Sequence, residues 1–226
     1  MNSGAVLEAT DRTQLTRRAH RAHYDLDTIN SILDEGFVCH LGFTWNNHPF
    51  VIPTCYGRDG RRLLVHGSAG SRMLRALSDG IDACLTVTLV DGIILARGAF
   101  NQSINYRSVV VLGKARPIED LEQKSQALIT LSEHLVPKRW DFVREPSKKE
   151  LAATLILEMN LDEASAKIRS GPPLDEDEDY DLPIWAGELP VFTRFGTAVP
   201  DPRNLPEVVV PEHAQNYHRT PQVDLS

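Results

Sequence analysis

The chain has 226 residues, which suits one domain with appendages and a core large enough to stand without a metal or disulfide staple. Hydrophobic residues make up 42% and charged residues 24%, an ordinary globular balance. The formal net charge of −7 argues against a general binder of nucleic acid or anionic membrane, because both need a basic surface.

Residues 1–24 are polar and read as an extended arm. No apolar stretch follows Arg17, Arg18 and Arg21, and no apolar run is long enough to span a bilayer. Cys39, Cys55 and Cys84 each sit in an apolar run, and no two stand at metal-ligand spacing. Buried free thiols are expected, and the odd count points to a reducing cytoplasm. Residues 25–36 predict a short helix: Leu26, Ile29, Ile32 and Leu33 share a face, an aspartate can cap the start and Gly36 can close the end.

The pattern then changes from helical spacing to alternation. Strands are predicted over 37–45, 49–56 and 62–66, with turns at Asn46-Asn47 and at 57–60. Runs 84–90 and 93–98 flank Asp91-Gly92, which reads as a hairpin turn between two strands. A further strand covers 107–116, and helices are predicted over 119–136 and from the Ser147 capping box. One last strand runs from Leu155 towards Ile168. Residues 175–181 form an acidic loop with the look of a solvated charge run, and the chain beyond 192 reads as a tail. About seven short strands with few helices predict a mainly β protein, a barrel with peripheral helices.

Three segments could carry chemistry. His66-Gly67-Ser68-Ala69-Gly70-Ser71-Arg72 leaves a strand and enters a helix. Ser71 can cap that helix, small residues let an anion approach the backbone, and Arg72 adds a forked charged donor. The loop is therefore a candidate phosphate site, although many such turns bind nothing. Pro53 lies inside a strand, so that strand is at an edge or bulged, with or without a ligand. Trp185, beside small residues, is either core or a stacking surface for a planar ligand. His66 has no second ligand at metal spacing.

The runs 39–43, 49–54, 64–68 and 71–77 resemble the pyridoxamine 5′-phosphate oxidase-related FMN-binding proteins, in the branch of the nitroimidazole-resistance proteins. The likeness continues through Asn105-Tyr106-Arg107-Ser108, residues 162–169, Gly171-Pro172-Pro173 and Pro183-Ile184-Trp185-Ala186-Gly187. It implies a Greek-key split β-barrel over residues 25–192, forming a homodimer with FMN at the subunit interface. It places Val51, Ile52, Pro53 and Thr54 along the flavin ring, and His66, Gly67, Ser68, Ser71 and Arg72 around the phosphate. Tyr106 and Ser108 would approach the flavin from the partner chain. Lys167, Arg169 and Trp185 are further cofactor-site candidates, and His66 is the candidate proton donor. The resemblance implies an FMN-dependent oxidoreductase passing hydride from a reduced nicotinamide to a small planar acceptor. A non-catalytic flavin store or sensor, or a related barrel holding haem or deazaflavin, are the alternatives. Residues 216–220 do not resemble the Arg- and Trp-containing end with which pyridoxamine phosphate oxidases grip substrate, which argues against oxidation of a B6 vitamer.

Overall fold

The structure is a computed structural model, and it describes residues 4–219. Two antiparallel sheets face each other without closing into one ring, the split-barrel arrangement, and the helices lie at the periphery. The larger sheet contains β1 (Ala22–His23), β2 (Val38–Trp45), β3 (His48–Cys55), β6 (Asp82–Leu95), β7 (Ser103–Lys114) and β10 (Ala164–Arg169). Its order is β1-β10-β7-β6-β2-β3, and β11 (Gly187–Pro190) pairs separately with β6. The smaller sheet runs β4 (Gly57–Asp59), β5 (Arg62–Ser68), β9 (Thr154–Asn160), β8 (Arg116–Pro117).

The short helix expected from the first apolar stripe is α1 (Leu26–Glu35). Asp25 accepts the Thr28 amide at 2.8 Å, and Leu26, Ile29, Ile32 and Leu33 are all buried. One stripe thus becomes one packed face. Helix α2 (Arg72–Ser78) is capped by Ser71, and α3 (Leu121–Leu135) by Asp120. The Ser147–Glu150 capping box opens α4 (Lys148–Ala153) as its spacing predicts. One core joins α1 and α2 to the inner faces of both sheets, and a smaller cluster packs Leu64 and Ile156 against Ala127 and Leu131 of α3.

Three local expectations change. Asp91-Gly92 is not a hairpin: β6 runs straight through it, with a β-bulge between Val90 and Gly92. Continuous pairing with β7 on both sides outweighs the local turn signal. The single last strand is two, β9 and β10, in different sheets and separated at residues 161–163. Of the three thiols only Cys39 is fully buried, and burial pushes it up to about 12, whereas Cys55 and Cys84 are half-buried.

The terminal segments are docked. In the arm, Leu7 joins the core, and Thr10 and Arg12 bond the Glu163 carboxylate. In the acidic loop, the Asp175 side chain is fully covered and accepts the amides of Arg97 at 2.9 Å and Gly98 at 3.1 Å. The Arg97 guanidinium also lies 4.9 Å from the Tyr180 ring. This part of the charge run is structural rather than solvated. In the tail, α5 (Glu212–Gln215) leads to Tyr217 and Arg219, whose side chains bond carbonyls at the ends of α1 and α3. No helix among the described residues is long and apolar enough to cross a membrane.

Candidate functional site

Strand β3 ends the larger sheet, so its far edge carries backbone groups that no strand takes up. Pro53 is tolerated there because an edge strand can lose a donor. It pairs in register with His40, which pairs with Thr86, which pairs with Val110. This rung crosses four strands on the outer face of the sheet, and Pro53 and His40 are exposed. Val51 lies on the same face, 67% exposed, while Ile52 and Thr54 alternate to the other side.

The loop after β5 comes close to this edge. Arg72 stands with its guanidinium carbon 5.0 Å from the Phe50 ring and 5.4 Å from the Trp45 ring. Both rings belong to the β2–β3 hairpin, so cation–π attraction holds the charge beside the exposed strand. Several loop amides are used within the fold: Ala69 donates to the Ala153 carbonyl, Gly70 to the Ser68 hydroxyl and Ser71 to the Ser68 carbonyl. Helix α2 has only seven residues. An anion here therefore depends mainly on Arg72 and on the Ser68 and Ser71 hydroxyls. Arg75, exposed, folds back on the loop and donates to the Gly70 carbonyl at 2.8 Å.

His66 is half-buried on β5, paired with Ile156. Its Nδ1 is buried without a hydrogen-bond partner, and burial lowers its pKa, so the ring is neutral near pH 7. Gly67 is held small, since a Cβ there would lie 3.0 Å from Leu74.

Tyr106 and Ser108 lie on β7, opposite Arg169 and Lys167 of β10. This second group is three and four strands from β3, roughly 14–19 Å at ordinary strand spacing. One chain does not bring the two groups together. Arg169 is buried, and its guanidinium bonds Asn105 and the carbonyls of Gly171 and Pro172. Trp185 is 69% exposed just before β11, and its ring fills the space a Cβ on Gly187 would need.

A feature that sequence reasoning missed lies on the same sheet face. A cleft of about 770 Å³ opens where residues 191–195 and 217–219 arch over β6 and the start of β2. Phe37, Phe195 and Tyr217 line it as a chain of rings, with centroids 6.1 Å and 4.5 Å apart. At its wall Arg107 bonds Glu35 and Asp91 together, which raises the arginine's pKa through those hydrogen bonds. The cleft is lined by Val38 and Thr88, two residues along from the Pro53–His40–Thr86 rung, or about 7 Å. The sequence signal was faint: scattered aromatics, Phe192, Phe195 and Tyr217, in a tail rich in proline and polar residues.

Residues 25–168 match the pyridoxamine 5′-phosphate oxidase family. The chain belongs to this family. Among solved structures it is similar to the flavocytochrome Anf3 from Azotobacter vinelandii, at 43% identity and a TM-score of 0.88, covering 92% of this chain and 97% of that one. It is also similar to the FAD and haem binding protein from Mycobacterium smegmatis, at 33% identity and a TM-score of 0.82, covering 85% and 95%. A structure named for 5-nitroimidazole antibiotic resistance, from Bacteroides thetaiotaomicron, shares the fold at 23% identity and a TM-score of 0.54, covering 65% and 86%. No curated protein sequence matches the chain.

Proposed function

We propose that this protein is a flavin-dependent oxidoreductase that works as a homodimer. One observation carries the reading: Arg72 lies over Phe50, so a phosphate-binding charge and an exposed edge strand form one continuous surface. Val51 and Pro53 offer a flat apolar seat for a ring, and the unpaired backbone of β3 offers hydrogen bonds to a ring edge. Arg72, Ser68 and Ser71 would hold the phosphate. FMN and FAD share ring, ribityl chain and first phosphate, so these residues serve either. The FAD named for the 33% identical relative supports the longer cofactor.

A bound flavin supplies the hydride and single-electron chemistry. The chain supplies orientation. The desolvated, neutral His66 ring is suited to donating or accepting a proton at neutral pH. A reduced nicotinamide is the proposed electron donor. Anaerobic mixing with NADH or NADPH tests this: bleaching of the flavin at a rate compatible with turnover supports the enzyme, and an unreacted flavin with both donors leaves a flavin carrier.

The homodimer is supported by the outer face of the larger sheet. Along its rung His40 is exposed and Thr86 and Val110 are half-buried, a surface that a second copy could cover. Pairing two such faces would bring Tyr106, Ser108 and Lys167 of one chain towards the flavin edge of the other.

Haem is a second proposed cofactor, and it stands beside the flavin rather than in its place. Two relatives of high coverage are named for a flavocytochrome and for haem binding. The aromatic cleft fits such a group: its size is in the range of small-molecule sites, it has a row of rings, and the cation Arg194 lines it. Arg194 would meet a haem propionate, and Phe37, Phe195 and Tyr217 the macrocycle.

A further inference from the structure

Resting on the haem reading, we infer that the aromatic cleft is the haem pocket and that His218 is the axial ligand to the iron. Three observations about His218 converge.

Its neighbours fix it in place. Tyr217 donates to the Leu135 carbonyl. Arg219 donates to the carbonyls of Asp34 at 2.8 Å, Glu35 at 2.9 Å and Gly36 at 2.9 Å, and to those of His134 and Leu135. An exposed residue between two such anchors has little freedom to swing away from the cleft it lines.

Its tautomer is set for metal binding. His218 Nδ1 lies 2.9 Å from the Asn216 carbonyl. A carbonyl only accepts, so the proton is on Nδ1 and Nε2 carries the free lone pair. Metal-bound histidines are oriented in this way by a hydrogen bond from the other ring nitrogen.

Its competitors are engaged or elsewhere. His134 Nε2 donates to the Gly36 carbonyl at 2.9 Å, and the His213 ring packs 4.7 Å from Phe142. His66 sits in the smaller sheet, and His40 stands one rung nearer the flavin edge, outside the cleft lining. His218 is the histidine that lines the cleft. The lining residue Val38 is two residues along β2 from His40, the partner of Pro53, so the two proposed cofactor sites are neighbours on one sheet face.

The test is haemin titration of the full-length protein, followed by the Soret band, with flavin content as a check on the fold. In His218→Ala the haemin affinity is expected to fall at least about tenfold and the Soret band to shift, with flavin content kept. Added imidazole is expected to restore the wild-type spectrum by filling the vacated position. His218→Met, which substitutes a thioether, is expected to move the band rather than abolish it. Wild-type affinity and an unchanged spectrum in both variants would overturn the assignment while leaving haem binding intact. A wild-type protein that binds no haemin would overturn the haem reading itself, and the role of His218 with it.

Discussion

Arg219 donates to the Gly36 carbonyl at 2.9 Å, joining the tail to the cap of helix α1. The same guanidinium reaches the last carbonyls of α1 and α3 together. Helix C-termini leave carbonyls without partners and carry partial negative charge, so one cation here serves two helices. The tail is thereby held over the cleft.

Removing that cation is expected to cost about 1–3 kcal/mol, because several half-buried carbonyls lose a charged donor at once. Urea unfolding of Arg219→Ala measures the cost. Limited proteolysis is expected to cut the tail faster in the variant. Unchanged stability and unchanged cleavage would show that the clip holds nothing.

The clip is also sensitive to acid. His134 is pushed down to about 4, chiefly by burial and next by the nearby Arg219. The unfolded histidine titrates near 6.5, so the unfolded chain takes up the proton first. Stability from the neutral ring is complete above about pH 6.5 and falls as the pH drops towards 4. The loss is roughly 2–3 kcal/mol over that window. Urea unfolding across this range, compared with His134→Gln, is expected to show the extra slope only in the wild type. Parallel slopes would refute the role of His134.

The flavin site gives a sharper test. Arg72 is exposed and touches two rings, so Arg72→Ala should fold normally. Its FMN affinity is expected to fall by about tenfold or more, the scale of one lost charged hydrogen bond. Riboflavin has no phosphate, and its affinity is expected to stay within about twofold. Equal weakening of both ligands, read by fluorescence titration, would move the phosphate away from Arg72.

Much of this was legible in the residues. The stripe Leu26, Ile29, Ile32, Leu33 specified its helix because one period and one cap agreed. Pro53 specified an edge because proline cannot serve an inner ladder. Asp91-Gly92 misled because a bulge inside a long paired strand uses the same residues as a tight turn. The cleft was illegible because its walls come from residues 35–38, 88–91, 191–195 and 217–219, which only the tertiary fold assembles. Asp175 read as solvated because its partners, the Arg97 and Gly98 amides and the Arg97 guanidinium, lie 78 and 77 residues away in the chain.

The sheet face makes its own prediction. Thr86 lies mid-face, paired with His40 and Val110 and outside the proposed flavin contacts. Thr86→Arg places a charge where two subunits would meet, and it is expected to yield a monomer with reduced flavin content. Sedimentation velocity checks this, and a variant that stays dimeric with full flavin would put the interface on another surface.

The central claim is that Arg72 and the β3 edge hold a flavin. The visible spectrum of the purified protein, with chromatography of the cofactor released on denaturation, addresses it most directly. The expected result is a flavin chromophore near one per chain, released as FAD or FMN. A colourless protein that takes up neither flavin on addition would contradict it.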